Sequence, residues 1–317
     1  MISSLELAKL CGVSQGTVDR ALHNRKGISE DTRKKILNTA SEYGYIPNPA
    51  AREIITGRNM TVSAILPNIN SIFMMDLMSA IKSKISQSGH RLIITTFDNV
   101  DEMFSILSDF SARKNCASII VPPEENMHIP EHISTDMKII SLLNPAKGKN
   151  VFFISPDERE TGRKATEYLI AAGHEKILHL TYARRNFHAV KMRVAGYEDE
   201  MKKKGLKSLV ISEVDEKSLI GIIKREKPTA LFCHNDWLAL TAIRILEKNK
   251  IAVPANISVL GIDNSHTFTD LCADITTMEY PFAWAASAIN SILEGKQKPP
   301  SPPAFKIIER KTLRFLK

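Results

Sequence analysis

Gln15, Thr17 and Arg20 are the residues near the N-terminus whose chemistry suits contact with a nucleic acid. A glutamine amide can pair with adenine in the major groove, and an arginine can bind guanine or hold a phosphate. Their spacing places them on the outer side of one short helix, together with Gly16 and Asn24. The competing interpretation is an ordinary three-helix bundle with a solvated polar face, and the spacing alone does not decide between the two.

Each of the three helices expected in this segment has its own start signal. Ser3 and Glu6 form a capping box at the first helix, and Gly12 is a natural left-handed stop. Ser14 can cap a second helix that runs from residue 15 to about residue 23, and Ser29 can cap a third. Two helices joined by a short turn that contains glycine form the helix-turn-helix pattern.

Positive charge is densest at the N-terminus. The chain of 317 residues has a net charge of +8, and residues 1–60 hold nine Lys and Arg against six acids. With 43% hydrophobic and 25% charged residues, the composition is that of a globular protein rather than a disordered or fibrous one. No apolar run reaches the roughly 20 residues of a membrane span, and no secretory signal is visible, so we expect a cytoplasmic protein without a membrane partner. The scattered cysteines fit reduced thiols better than disulfides or a zinc site.

Beyond residue 60, short apolar runs alternate with amphipathic stretches, which is the pattern of α/β proteins. Such runs predict strands that are buried on both faces of parallel sheets. The stretch has no glycine-rich phosphate loop and no nucleophile elbow, so the hypothesis of a nucleotide enzyme built on this architecture loses its main support. The strand candidates are Val62–Leu66, Leu92–Thr95, Ala117–Val121, Lys138–Leu142, Lys176–Leu180, Leu209–Ser212, Ala230–Cys233 and Ser258–Ile262.

The run AKLCGVSQGTVDRAL at residues 8–22 resembles the signature of LacI/GalR family transcriptional regulators, A-x-x-A-G-V-S-x-x-T-V-S-R-x-L-N. Residues 29–33 and 44–48 are similar to two further family motifs, V-S-x-x-T-R and G-Y-x-P-N. The resemblance implies that Gln15 and Gly16 take the base-reading positions and that Arg20 contacts a base or a phosphate. Two departures matter, because Gly16 has no side chain and Asp19 replaces the usual serine. An acid there repels phosphate unless it accepts from a cytosine or pairs with Arg20 or Arg25.

Residues 47–58 resemble the hinge helix of the family, with Asn48 as a good N-cap and Pro49 at the first helical position. By resemblance, Ile54 takes the place of the leucine that wedges into the minor groove, while the competing role is packing within the hinge. The DNA contacts that the resemblance implies are Ser14, Gln15, Gly16, Thr17, Arg20, Asn24, Tyr45, Asn48, Ala51 and Ile54.

The resemblance continues through the rest of the chain. The segments Tyr168–His174, Arg193–Tyr197, Asn235–Leu240 and Val253–Asn264 are similar to h-L-I-x-x-G-H, R-x-x-G-[FY], N-D-x-x-A-L and V-P-x-D-I-S-V-x-G-[FY]-D-[DN]. They imply a two-lobed, doubly wound core of the periplasmic-binding-protein type I fold, with a ligand held in the cleft at the strand ends.

By position, the effector pocket of the family corresponds to Ser71, Phe73, Asp157, Arg193, Asn235 and Asp263. Arg193 offers a rigid fork for hydroxyls or a carboxylate, and a surface ion pair is its alternative role. Asp236 serves equally well as a helix N-cap or as a ligand contact. The stretch Glu213–Asp215 lacks the aromatic residue that stacks on sugar in some relatives.

The implied organisation has three parts. Residues 1–46 form an all-α helix-turn-helix domain, residues 47–60 form a hinge helix and linker, and residues 61–317 form the effector-binding and dimerisation core. Lobe 1 takes about 61–155 plus 281–305, and lobe 2 takes about 156–280 plus 306–317.

The expected function is that of a DNA-binding repressor, a homodimer on a pseudo-palindromic operator, controlled by a small-molecule effector such as a sugar or sugar derivative. No enzymatic activity, cofactor or metal is expected. A solute-binding protein of a transport system without a DNA function is the alternative.

Overall fold

The computed structural model describes residues 2–22, 25–45, 59–67, 71–183, 187–265, 274–296 and 298–316. The chain divides into two compact units, residues 1–58 and residues 59–317. None of the described helices is long and apolar enough to cross a membrane.

The N-terminal unit contains α1 (Ser4–Cys11), α2 (Gln15–Leu22) and α3 (Glu30–Glu42). The Ser3 hydroxyl accepts from the Glu6 amide, and Gly12 ends α1 at a φ of 68°, as the capping box and the left-handed stop predict. Ser29 caps α3 by accepting from the Thr32 amide. The three helices share a small apolar core of Leu7, Ala8, Cys11, Val18, Ala21, Ile36 and Ala40. The expected hinge helix lies outside the described residues.

The first lobe of the larger unit is built on a five-stranded parallel sheet with the order β2-β1-β3-β5-β7. Its strands are β1 (Thr61–Leu66), β2 (Arg91–Thr96), β3 (Ala117–Ile120), β5 (Lys138–Leu142) and β7 (Val151–Ile154). The helices are α4 (Ile72–Gln87), α5 (Val100–Ala112) and the short α6 (Glu131–Ser134), and β4 (Met127–His128) pairs with β6 (Ala146–Lys147) beside the sheet.

The second lobe is built on a six-stranded sheet with the order β13-β12-β11-β10-β8-β9. The pairings in this sheet are parallel except for that between β12 and β13. Its strands are β8 (Ile177–Leu180), β9 (Leu209–Ile211), β10 (Ala230–Cys233), β11 (Ser258–Asp263), β12 (Thr276–Glu279) and β13 (Ile307–Ile308). The helices of this lobe are α7 (Glu158–Ala171), α8 (His188–Lys203), α9 (Glu216–Glu226) and α10 (Asp236–Lys248).

The chain passes between the lobes more than once. After β7 it enters the second lobe, and after β12 it returns as α11 (Phe282–Leu293), which packs on α4 and shares the core of the first lobe. It then comes back to pair β13 with β12. This interleaving brings the carboxyl ends of both sets of parallel strands toward one cleft, where ligands of open α/β sheets bind.

Two features differ from the sequence prediction. The strand β2 was expected to be buried on both faces, yet it lies at the edge of the first sheet with Ile93 and Ile94 each 46% exposed. The strands β4, β6, β7, β12 and β13 were not among the strand candidates. An apolar run shows that a strand forms, but the position of the strand in the sheet is decided by pairing with distant segments.

Candidate functional site

The residues expected to read DNA lie at the start of α2. Ser14, Gln15, Gly16 and Arg20 are exposed, and Thr17 is half-buried. The Ser14 hydroxyl accepts from the Thr17 amide at 3.2 Å and shares a 2.9 Å bond with the Thr17 hydroxyl, which fixes the first turn of α2. Gln15 donates from Nε2 to the Ser4 hydroxyl at 3.0 Å, so α1 orients its amide group.

The acidic departure at position 19 is neutralised locally. Arg25 donates from Nη1 to the Asp19 carboxylate at 2.9 Å, which is one of the pairings expected to relieve repulsion of phosphate. A Cβ added at Gly16 would meet only the Ser14 hydroxyl, at 3.8 Å, so this position leaves open space on the helix. The helical face is therefore uncrowded at Gly16, and the acid at position 19 is paired with Arg25.

Tyr45 is less available than the α2 residues, because its side chain packs against the core of the three helices. Its amide also donates to the Ala40 carbonyl at 2.8 Å. Four further expected contacts, namely Asn24, Asn48, Ala51 and Ile54, lie outside the described residues.

In the larger unit, Arg193 lies in a buried ion pair rather than on the surface. Its side chain projects from α8 and donates from Nε to the Glu158 carboxylate at 2.6 Å. It also donates from Nη1 to the His234 carbonyl at 2.6 Å. Arg193 is 4% exposed and Glu158 1%, so the pair exchanges little with water. The Oε1 atom of Glu158 has no hydrogen-bond partner, which is unusual for a buried carboxylate.

The acid that faces Arg193 is the neighbour of the one expected. Asp157 is exposed and caps α7 by accepting from the Glu160 amide at 2.9 Å. Ser71 is likewise used as a cap, accepting from the Met74 amide at the start of α4. Asp157 and Ser71, two of the six expected effector contacts, thus use their side chains as helix N-caps in this structure.

A second pair of acids lies at the end of β11. Burial raises the pKa of Asp263 well above its usual range, and the nearby Asp236 carboxylate adds to the effect. Burial also raises the pKa of Asp236 to about 7. Asp236 accepts from the Asn264 amide at 2.9 Å, whereas its Oδ1 atom has no partner. Asp263 has a φ of 127°, a strained value for a residue with a side chain and one that is typical of functional sites.

Asn235, not Asp236, caps α10. Its side-chain oxygen accepts from the Leu238 amide at 3.0 Å and from the Tyr182 hydroxyl at 2.9 Å. The Tyr182 ring also meets His234 edge-on, with ring centroids 5.4 Å apart. Burial lowers the pKa of His234 well below its usual value, so the ring is neutral, and its Nδ1 atom has no partner.

Aromatic residues lie beside the polar cluster that Arg193, Glu158, Asn235 and Asp263 form. The ring of Phe73 meets the ring of Tyr280 edge-on, with centroids 4.8 Å apart, and its centroid lies 5.4 Å from that of Phe282. Tyr280 is buried, and burial together with the Glu158 charge raises its pKa. The structure thus brings Phe73, Arg193, Asn235 and Asp263 into one neighbourhood. The residues that the sequence did not single out are Glu158, Tyr182, His234 and Tyr280. His234 and Tyr280 directly follow strands and Tyr182 is the second residue after one, which was the available signal.

A polar bridge joins the two lobes beside this cluster, formed by Glu125 and Asn144 of the first lobe with His188 and Lys191 of the second. Glu125 pairs with His188 Nδ1 at 2.9 Å and with Lys191 Nζ at 3.0 Å. The amide of His188 donates to the Asn144 side chain at 2.6 Å. These bonds lower the pKa of Glu125, chiefly through His188. Within the described ranges, no group of His, Cys, Asp and Glu side chains is arranged to hold a metal ion.

Two family models match the chain. The model of bacterial regulatory proteins of the lacI family covers residues 5–48, and that of the periplasmic-binding-protein-like domain covers residues 166–313. The HTH-type transcriptional regulator DegA of Bacillus subtilis (strain 168) is 26% identical over 87% of this chain and 86% of its own.

Solved structures show the same fold over nearly the full length. The Lac repressor dimer bound to operator and the anti-inducer ONPF superposes with a TM-score of 0.78, at 21% identity, over 98% of both chains. The transcriptional regulator CelR in complex with cellobiose gives a TM-score of 0.65 at 18% identity, over 98% of this chain and 100% of CelR. With a helix-turn-helix ahead of a two-lobed core, the chain belongs to the LacI family of DNA-binding transcriptional regulators.

Proposed function

We propose that the protein is a repressor that binds a pseudo-palindromic operator as a homodimer and responds to a sugar or sugar derivative bound between the lobes. The observation that carries this proposal is the buried polar cluster around Arg193 and Asp263, several of whose atoms have no hydrogen-bond partner. Buried polar groups in proteins are normally satisfied, so such a cluster in a cleft is suited to a ligand that completes its bonds.

The chemistry of the cluster fits a polyhydroxyl ligand. Glu158 and Asp263 can accept from hydroxyl groups, Arg193 can donate to them, and the side-chain amide of Asn235 can do both. Phe73 and its aromatic neighbours offer an apolar face to the C–H groups of a sugar ring. CelR, which has this fold, was solved with cellobiose, and this supports the assignment to sugars.

The proposed homodimer has a candidate contact surface in the edge strand β2. Ile93 and Ile94 are each 46% exposed there, and edge strands with exposed apolar residues are normally covered in native proteins. A second copy of the chain is the proposed cover, because a two-fold symmetric operator requires two recognition helices. Analytical ultracentrifugation of Ile93→Asp should show a monomer, whereas Met75→Asp, at an exposed apolar position on α4, should remain dimeric.

The first experiment is selection of operator DNA from a random pool with the purified full chain. We expect a palindromic site, and we expect Arg20→Ala to weaken binding to it by about 1–3 kcal/mol. Lys34→Ala removes the same charge from the exposed side of α3 and serves as the matched control. Equal losses for both variants would mean that Arg20 acts only through general electrostatics.

The second experiment repeats operator binding with a panel of sugars and sugar acids. A ligand that raises the melting temperature and also shifts operator affinity is the effector, since ligands shift an equilibrium by their differential affinity for the two states. If sugars bind without any effect on DNA, effector control is wrong. If no DNA sequence is enriched at all, the solute-binding alternative gains support.

A further inference from the structure

A cavity of about 390 Å³ lies on the outer side of α8, between that helix and the edge strand β9. Helix α8 contributes five residues at helical spacing to its wall, and Arg193, which belongs to the polar cluster, projects from the other side of the helix. The cavity is therefore separate from the cleft between the lobes. Its lining residues are Thr181, Tyr182, Val190, Lys191, Val194, Ala195, Glu198, Val210 and Ser212.

One wall of the cavity holds a buried hydroxyl group without a partner. Thr181 is 4% exposed, and its Oγ1 atom makes no hydrogen bond, although its backbone amide donates to the Ile211 carbonyl at 2.9 Å. A buried hydroxyl that makes no hydrogen bond has lost its water without compensation. Because Thr181 lines the cavity, a molecule bound there can supply the missing bond.

The rest of the lining limits the chemistry of that molecule. Val190, Val194, Ala195 and Val210 make the wall largely aliphatic. Lys191 is the one lysine among the described residues of the wall, and its ammonium group is already paired with Glu125 at 3.0 Å, so it is not free to bind an anionic ligand. The volume lies in the range of small-molecule sites in proteins.

We propose that this cavity is a second small-molecule site, distinct from the effector cleft, for an uncharged molecule with an apolar body and one hydrogen-bonding group. The apolar body contacts the valines, and the polar group bonds to Thr181. Occupancy is linked to the cleft through two wall residues. Tyr182 donates to Asn235 in the polar cluster, and Lys191 belongs to the bridge between the lobes.

The test uses the full chain and three aromatic probes of similar size, namely phenol, benzoate and benzylamine, whose binding is measured by saturation-transfer NMR. Phenol should bind saturably and at least ten times more tightly than either charged probe. Thr181→Val keeps the shape of the side chain and should weaken phenol binding about tenfold, and Val194→Trp should abolish it by filling the cavity. Lys202→Gln, on an exposed part of α8, is the control and should bind phenol as the wild type does.

Several results would overturn the proposal. They are the absence of saturable binding for all three probes, tighter binding of a charged probe, or normal phenol binding by both Thr181→Val and Val194→Trp. The linkage has its own readout, since Glu125→Gln breaks the ion pair with Lys191 and should change phenol affinity about fivefold. Unchanged affinity in that variant would refute the linkage. None of these measurements involves DNA or a sugar, so their failure is distinct from failure of the repressor function.

Discussion

Replacing Arg193 by methionine should destabilise the larger unit by about 3–5 kcal/mol, because it removes one partner of a buried ion pair. The guanidinium group is the sole hydrogen-bonding partner found for the Glu158 side chain in the described structure, at 2.6 Å. Without it, a carboxylate that is 1% exposed would keep neither a bond nor a countercharge. The His234 carbonyl would also lose its donor. At about 2–4 °C per kcal/mol, the expected fall in melting temperature is about 6–20 °C.

The assay is urea unfolding and calorimetry of a double-mutant cycle with Glu158→Leu. Each single variant leaves one charge buried, whereas the double variant leaves none, so it should recover most of the lost stability. Arg159→Met is the matched control on α7. Arg159 also makes an ion pair, with Asp199 at 2.7 Å, but its side chain is 59% exposed, and we expect little change.

Two results would refute this reasoning. If Arg193→Met is no less stable than Arg159→Met, the buried environment does not penalise the unpaired carboxylate. If the double variant loses as much stability as the two single variants together, Arg193 and Glu158 do not act as a pair.

Three further predictions concern the same two units. Burial raises the pKa of Asp236 to about 7 in the folded state. Between about pH 4 and pH 7 the folded state therefore binds more protons at this residue than the unfolded state does. As the pH rises through that range, Asp236 lowers the free energy of unfolding by an increasing amount. The stability of Asp236→Asn relative to the wild type, measured by urea unfolding, should therefore increase with pH, and a flat difference would contradict the shift. A Cβ at Gly162 would overlap the carbonyl oxygen of Arg193 where α7 packs on α8, so Gly162→Ala should cost about 1–3 kcal/mol in the same assay. Gly221→Ala meets no atom within 4 Å and should be neutral or stabilising, which makes it the control. Arg25→Ala removes a cation and also exposes Asp19, so it should weaken non-specific DNA binding in a low-salt filter assay more than Lys26→Ala does, and equal losses would speak against the Asp19 pair.

The helix boundaries of the N-terminal unit were predictable because their causes are local. A capping box at Ser3, a left-handed glycine at position 12 and a serine cap at position 29 act within three or four residues of themselves. The edge position of β2 was not predictable in the same way. Its apolar residues resemble those of a central strand. It is outermost because β1, its one neighbour in the described sheet, pairs with β3 along its opposite edge.

In the candidate site, too, the local features were predictable from the sequence, whereas the contacts set by packing between distant segments were not. Arg193 was singled out through a motif, but its partner could not be chosen from the adjacent acids Asp157 and Glu158. The turn that starts α7 points one of them to the helix amides and the other inward, and this follows from the packing of α7 against α8 rather than from spacing. Asn235 and Asp236 pose the same problem at α10, where the cap falls on the first residue and burial on the second.

The arrangement of the buried cluster also bears on how the proposed effector would be selected. Two nitrogens of Arg193 are already bonded, to Glu158 and to the His234 carbonyl, so a ligand that sought those donors would have to break existing bonds. The Oε1 atom of Glu158 is an acceptor without a partner. A ligand that brings a hydrogen-bond donor to Glu158 therefore gains a bond without displacing one. Because the cluster draws residues from both sides of the cleft, the gain depends on the lobes being together. Donor-rich ligands would thus favour the closed arrangement by the difference in their bonding to the two states.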